Sequence, residues 1–176
     1  MPLPASARSS QLPHAVTVDL DPGCFRFSVW RNVSITLWTA QATVEAAHRV
    51  LRTSRQLNGQ FPEGRSQVMI VASGTPAPEG EASELLAEIY DPTSSRIVCI
   101  AGVLEGSGFW ASAIRSRLTS MRLAGGSAMA LRVQETIDEV VTWLPKEHAQ
   151  RTGVQVSAAE LKAVLLEVRA LGTRDE

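Results

Sequence analysis

The stretch IVCIAGVL, residues 97–104, decides the fold class because it is apolar throughout and leaves no polar face. A strand with this pattern is covered on both faces, which is the usual situation inside a parallel sheet. Residues 68–72 (VMIVA) show the same pattern, and each run is followed by a glycine-containing segment and then by helical periodicity. The two runs predict central strands of a parallel sheet with helices packed on it.

The region before these strands alternates between apolar and polar residues with a period of two. The alternation covers residues 16–20, 25–29 and 33–37, and turns at 21–23 and 31–32 separate the three segments. This pattern predicts an antiparallel hairpin arrangement with one buried face and one more polar face. A further alternating run at 129–133 predicts a last strand nearer an edge of the sheet.

Helical periodicity follows the hairpin and each of the apolar runs. Thr43 is the expected N-cap of the first helix, which should end near residue 58. Capping boxes beginning at Thr136 and Ser157 predict two later helices, and Pro145 is expected to end the first of them. The predicted order is β-β-β-α-β-α-β-α-β-α with one more helix after it. The fold class is therefore α/β, with a mixed, mostly parallel sheet, an N-terminal antiparallel hairpin and an extra C-terminal helix.

The composition is that of one globular domain, with 176 residues of which 44% are hydrophobic and 20% charged. We expect a flexible tail at 1–13, the α/β domain at 14–145, and a linker with an appended amphipathic helix at 146–176. The formal net charge of −1 predicts no nucleic-acid partner. No apolar stretch approaches the roughly 20 residues of a transmembrane segment, and the first residues lack the apolar centre of a secretory signal. The cytoplasm is the expected compartment.

The residue types that perform most enzyme chemistry are scattered along the chain. His14, His48 and His148 lie far apart, and Cys24 and Cys99 do not form a Cys-x-x-Cys pair. Cys99 falls inside the apolar run at 97–104 and is expected to be a core residue. We therefore expect no catalytic residue, no metal and no cofactor.

Two features near the middle of the chain are candidate anion-binding sites. Gly106, Ser107 and Gly108 connect a strand to a helix, where backbone N–H groups point at whatever lies above the helix N-terminus. Arg117 falls on the apolar arc of the following helix, and a permanently charged guanidinium needs a partner. The structural alternatives are a tight turn and an arginine that reaches solvent or pairs with a carboxylate.

Two further segments are candidate interaction sites. Ser73 and Thr75 follow a parallel strand, where ligands and modifications collect, so either hydroxyl is a candidate phospho-acceptor. The last helix places Leu161, Leu165 and Val168 on one apolar face. This face must pack on the chain's own sheet, on a second copy of the chain or on a partner protein.

Two segments together resemble the STAS-like family, the bacterial relatives of anti-sigma-factor antagonists and of STAS/lipid-transfer-like proteins. They are RIVCIAGVLEGSGFW at 96–110 and QETIDEVVTWL at 134–144, and the resemblance extends over roughly residues 25–144. It implies the element order given above and a small non-enzymatic module that binds proteins and, in some members, is switched by phosphorylation. The family's Asp-Ser-Ser/Thr-Gly acceptor motif corresponds to ASGTP at 72–76, where the preceding Asp is missing.

These observations lead to one main hypothesis and two alternatives. The main hypothesis is a STAS-like regulatory or scaffold protein that acts in signalling by binding a protein partner or a second copy of itself. The first alternative is a carrier of a lipid or other small apolar ligand, held beneath the helix that bears Phe109 and Trp110. The second alternative is an enzyme of unknown class.

Overall fold

Six strands form one sheet in the computed structural model, which describes residues 13–91, 93–106, 112, 115, 116 and 129–172. The strands are β1 (Val16–Asp21), β2 (Phe25–Trp30), β3 (Val33–Trp38), β4 (Arg65–Val71), β5 (Ile97–Leu104) and β6 (Ala130–Gln134). The helices with described bounds are α1 (Val44–Gln60), α2 (Gly80–Glu88), α3 (Ile137–Thr152) and α4 (Ala158–Gly172).

The strands lie side by side in their order along the chain, from β1 at one edge to β6 at the other. β1, β2 and β3 pair antiparallel, whereas β3, β4, β5 and β6 pair parallel. Ile35, Val68 and Ala101 mark the register across β3, β4 and β5 at the centre of the sheet. The predicted α/β fold, with its antiparallel hairpin, parallel strands and C-terminal helix, is confirmed.

Helices cover both faces of this sheet and create three layers. α1 and α2 pack on one face, because right-handed crossovers between neighbouring parallel strands bring successive helices to the same side. α3 and α4 come after the last strand and pack on the opposite face. We refer to these as the α1–α2 face and the α3–α4 face.

β2 and β3 are more buried than the sequence predicts. The sequence predicts one buried face and one more polar face, and in β3 both faces are buried. Val33, Ile35 and Leu37 lie in the core of the α3–α4 face, while Ser34 and Thr36 point to the α1–α2 face and are buried there. The polar residues of β3 therefore belong to an internal polar cluster and not to a solvent-exposed surface.

The apolar face of α4 belongs to the chain's own core. Leu161, Leu165 and Val168 are fully buried. Near the end of the helix, a Cβ added to Gly172 would lie 2.3 Å from Cδ2 of Leu37 in β3. The first of the three predicted locations, the chain's own sheet, is the one observed. The assignment of these three residues to partner binding is therefore corrected, because their side chains are already covered.

α3 continues through Pro145 to Thr152, so the predicted end of this helix is wrong. A proline inside a helix removes an N–H donor and costs about 3 kcal/mol. The continuation nevertheless places Val140, Leu144 and His148 on one buried stripe at helical spacing. The segment expected to be a linker from residue 146 therefore begins as helix.

Candidate functional site

A pocket of about 100 Å³ lies between the α1–α2 face of the sheet and the loop at 72–79. Strands β2, β3 and β4 form its floor, and the C-terminal half of α2 with the residues after it forms a wall. The loop contributes Pro76 and Pro78. Its lining is mostly apolar and includes Phe27, Trp38, Val50, Met69, Val71, Leu86 and Ile89.

The floor of the pocket follows from strand alternation. Thr36 and Trp38 are two residues apart in β3, and Gln67, Met69 and Val71 are two apart in β4, so all five point to one face. The parallel register places Thr36 beside Met69 and Trp38 beside Val71. The floor is thus polar toward the beginning of the strands and apolar toward their ends.

Hydrogen bonds hold the 72–79 loop over this floor. Gln41 Nε2 donates to the carbonyl oxygen of Ala77 at 2.9 Å, and the N–H of Thr75 donates to that of Ala72 at 3.1 Å. Pro76 in the loop and Ala87 in α2 both line the pocket and are exposed. The rim therefore reaches solvent, and a small molecule can enter between the loop and α2.

A buried polar cluster extends from the polar part of the floor toward the start of β4. Arg65 is completely buried. Its Nη1 donates to Ser34 Oγ and, at 3.2 Å, to Gln67 Oε1, while its Nη2 donates to the carbonyl oxygen of Ser54 at 3.2 Å and to Ser54 Oγ. The Nε of Arg65 has no hydrogen-bond partner in the described part of the chain. All of the hydrogen-bond partners of Arg65 among the described residues are neutral.

Gln67 connects the buried cation to the pocket. Its Oε1 also accepts a hydrogen bond from Ser34 Oγ at 2.7 Å, and its Nε2 donates to Thr36 Oγ1 at 2.8 Å and to the carbonyl oxygen of Val68 at 3.1 Å. An arginine only donates, so the amide oxygen must face Arg65 and the amide nitrogen must face Thr36. Thr36 Oγ1 accepts in this bond, and its own proton has no partner among the described residues.

Burial shifts the pKa of two groups near the pocket. It lowers the pKa of Arg65 from 12.5 to about 10 and raises the pKa of Tyr90 from 10.0 to about 12. At neutral pH the guanidinium is therefore charged and the phenol is neutral. Tyr90 also lines the pocket. Its backbone N–H donates to the carbonyl oxygen of Ala87 at 3.1 Å, whereas its hydroxyl makes no hydrogen bond within the described residues and is a second free donor besides that of Thr36.

These polar residues are missing from the sequence prediction, which begins the strand at residue 68. A signal for them exists in the sequence, because Arg65, Ser66 and Gln67 are three consecutive polar residues placed directly before an apolar run. Ser34 and Thr36 alternate with apolar residues in the preceding strand. Only the pairing of β3 with β4 brings the two sets together.

A second buried polar cluster lies on the α3–α4 face. Ser66 Oγ is 2.7 Å from Nδ1 of His148, and Nε2 of His148 is 2.9 Å from Oδ1 of Asn32. Nδ2 of Asn32 donates to the carbonyl oxygen of Gly64 at 3.2 Å, which turns the oxygen of the amide toward the imidazole. Nε2 of His148 therefore carries the proton, and Nδ1 accepts a hydrogen bond from Ser66.

The order Ser66, His148, Asn32 has the form of a hydrolase triad, but its surroundings differ from those of an active site. All three residues are buried, and none of them lines the pocket. Burial lowers the pKa of His148 from 6.5 to about 4, and burial raises the pKa of the neighbouring Cys99 thiol to about 11. A substrate would have to displace packed side chains to reach Ser66. The cluster therefore joins α3 to the sheet.

Two of the predicted site residues meet at the carboxyl ends of β4 and β5. Gly106 has a φ of 103°, and a Cβ added to it would lie 2.8 Å from Ser73 Oγ. Ser73 is exposed, whereas Thr75 is only 4% exposed and its Oγ1 donates to the carbonyl oxygen of Trp38 at 3.5 Å. Ser73 stays a candidate phospho-acceptor. Thr75 is corrected to a residue that anchors the loop.

The other predicted site residues, Ser107, Gly108 and Arg117, lie outside the described residues. The same holds for Phe109 and Trp110, beneath which an apolar ligand is predicted. On the described side of this segment, Glu105 Oε1 forms an ion pair with Arg169 Nε of α4 at 2.7 Å.

Within the described ranges, no group of three or more His, Cys, Asp or Glu side chains is arranged to hold a metal ion. Cys24 and Cys99 are both free thiols. Among the helices of these same ranges, none combines the length and the apolar composition that crossing a bilayer requires.

Comparison with known proteins does not assign this chain to a family, so its class is defined by its fold and its site. No protein-family model matches the chain, and no curated protein or solved structure matches it significantly. The structure defines an α/β domain with a small, mostly apolar pocket and a buried cation beside the polar part of its floor.

Proposed function

We propose that this chain is a non-enzymatic binding module whose ligand is a small molecule with an apolar body. The supporting observation is the pocket on the α1–α2 face, where aromatic and aliphatic side chains from several elements surround a space that reaches the surface. Sites for small ligands combine such walls with a few placed polar groups. This proposal takes the carrier function predicted as an alternative and moves its location from the helix with Phe109 and Trp110 to the floor formed by β2, β3 and β4.

The pocket volume limits the size of the ligand. A closed cavity of about 150 Å³ holds one benzene ring, so a volume of about 100 Å³ that is open at its rim corresponds to a single aromatic ring or a short branched chain. Sites for larger organic ligands measure about 300–1,000 Å³. We therefore propose a small ring compound or a short branched compound as the ligand, and not a long-chain lipid.

A regulatory role through a protein partner is the second candidate function. The STAS-like resemblance is proposed with it, because the order of the described strands and helices agrees with the order that the resemblance implies. Burial of the apolar face of α4 removes the surface first suggested for that partner. Val16 and Val18 on the edge strand β1 are 66% and 46% exposed, and a partner or second copy would meet apolar side chains there. Ser73 lies in the loop that covers the pocket, so a modification of Ser73 and a bound ligand would act on the same segment.

Titration with toluene, followed by ¹H–¹⁵N NMR, tests the proposed ligand site. Toluene is expected to shift the signals of Trp38 and Met69 and to leave those of the α3–α4 face unchanged. Ala87→Phe places a ring at the exposed rim of the pocket and is expected to weaken toluene binding about tenfold, which corresponds to about 1.4 kcal/mol.

The matched control is Ala159→Phe, because Ala159 is also an exposed alanine in a helix but lies on α4 at the opposite face. This variant should bind toluene as the original chain does. If toluene, nitrobenzene and benzoate all leave the signals of the pocket residues unchanged, the proposed function is wrong.

A further inference from the structure

The buried guanidinium of Arg65 lacks an anionic partner. Charged side chains are almost never fully buried in proteins unless they are paired, because an isolated charge loses its hydration. Arg65 is completely buried, yet its hydrogen-bond partners within the described residues are the neutral groups of Ser34, Ser54 and Gln67, and its Nε has none. The charge of Arg65 is therefore not neutralised by any side chain that bonds to it in the described part of the chain.

The position of Arg65 in β4 places its charge close to the pocket. Arg65 and Gln67 are two residues apart on one face of the strand, a separation of about 7 Å, and Gln67 lines the pocket. Over that distance a charge interacts strongly through a protein interior, which screens less than water does. No acidic side chain is among the described residues that line the pocket, so nothing there cancels the positive potential.

Two hydroxyl donors face this part of the pocket without acceptors. Thr36 is 3% exposed, lines the pocket and uses its oxygen to accept from Gln67, so its proton remains to be donated. Tyr90 lines the same pocket, and its hydroxyl likewise makes no hydrogen bond within the described residues. The proton of Thr36 is a buried donor without an acceptor, which is costly, and an acceptor supplied by a ligand would remove that cost. Tyr90 is half-buried, and its hydroxyl is a free donor to the same acceptor.

Resting on the proposed function, we infer that the ligand is a small carboxylate with an apolar body. Its carboxylate accepts hydrogen bonds from the hydroxyls of Thr36 and Tyr90 and is stabilised by the charge of Arg65. Its ring or branched chain packs against Trp38 and Met69. Charge-assisted hydrogen bonds are roughly twice as strong as neutral ones, so this arrangement selects for the anion.

Three probes of nearly equal size test the inference by calorimetric or NMR titration at neutral pH. Benzoate supplies the carboxylate, nitrobenzene has the same shape without the net charge, and toluene has the ring alone. Benzoate is expected to bind about tenfold more tightly than nitrobenzene, as a hydrogen bond to a charged group predicts.

Variants of the two donors locate the carboxylate. Thr36→Val keeps the shape of the side chain and removes the hydroxyl, and Tyr90→Phe does the same for the phenol. Each is expected to weaken benzoate binding about tenfold and to leave toluene binding unchanged. Thr142→Val, on the exposed surface of α3, is the matched control and should bind benzoate normally.

The outcomes distinguish failure of this inference from failure of the proposed function on which it rests. Equal affinity for benzoate and nitrobenzene overturns the carboxylate assignment, whereas toluene binding in the pocket would still support the proposed function. Benzoate selectivity that survives both substitutions also overturns it, because the anion then lies elsewhere. If Thr36→Val does not fold, the comparison of probes on the original chain and on Tyr90→Phe still decides the question.

Discussion

At the scale of single residues, three consecutive polar side chains at the start of β4 belong to two separate clusters. Arg65 and Gln67 point to the α1–α2 face, where Gln67 lines the pocket and Arg65 lies in the buried cluster beside it, while Ser66 points to the α3–α4 face and binds His148. The sequence shows these three polar residues in a row but not which residues pack opposite each of them. Their partners Ser34, Ser54 and His148 are 11 to 82 residues away along the chain. The pocket chemistry therefore becomes visible only after strand pairing is known.

Stability should depend on pH through His148. Burial lowers its pKa from 6.5 to about 4, with a smaller opposing effect from the carboxylate of Glu63. Between these values the unfolded chain binds a proton that the folded chain excludes. The free energy of unfolding is therefore expected to be fully retained above pH 6.5 and to fall by up to about 3 kcal/mol as the pH drops from 6.5 toward 4. Urea unfolding at several pH values measures this loss.

A variant isolates the contribution of His148 from those of other titrating groups. His148→Gln should be less stable at pH 7 and should show a smaller loss of stability between pH 6.5 and 4.5 than the original chain. His48→Gln, at an exposed position in α1, should keep the original pH dependence. An identical slope for the His148 and His48 variants would show that His148 does not cause the pH dependence.

At the scale of elements, the starts of helices follow local sequence, and some of their ends do not. Thr43 accepts a hydrogen bond from the N–H of Ala46, and Thr136 forms the complete capping box with Glu139, as predicted. These signals act within a single turn. The continuation of α3 past Pro145 depends on burial of His148 beneath the helix, which no window of local sequence contains. Long-range burial also explains why the faces of β3 are misjudged.

Two glycine-to-alanine substitutions are expected to have opposite effects on stability, because Gly172 of α4 lies against β3 and Gly59 of α1 has open space around it. Gly172→Ala would bring a Cβ within 2.3 Å of Leu37 Cδ2, and this overpacking is expected to destabilise the protein by about 1–3 kcal/mol. Gly59→Ala, in α1, meets nothing within 4 Å and should stabilise its helix by about 0.5–1 kcal/mol. Urea unfolding compares the two variants. Stabilisation by both would mean that α4 lies farther from β3.

At the scale of the whole molecule, the sheet divides the interior into two layers with different roles. The α1–α2 layer contains the pocket and the buried cation, whereas the α3–α4 layer is closely filled by apolar side chains and one hydrogen-bonded cluster. Sequence periodicity predicts that each helix has an apolar face, and it predicts the parallel strands. It does not show on which face of the sheet each helix packs, because that depends on where the chain passes from one face to the other after β6.

The last helix is therefore expected to be required for folding. Leu161, Leu165 and Val168 are fully buried, and burial of each contributes about 1.5–3 kcal/mol, which together approaches the whole stability of a typical domain. A chain ending at Gly153 should lose cooperative urea unfolding and should bind a dye for exposed apolar surface, whereas removal of a merely appended helix would leave the transition intact.

Leu165→Ala should destabilise the full chain by about 2–5 kcal/mol. Leu166→Ala, on the exposed side of the same helix, should change its stability by less than about 0.5 kcal/mol. Equal effects of the two substitutions would contradict the packing of α4 on this sheet.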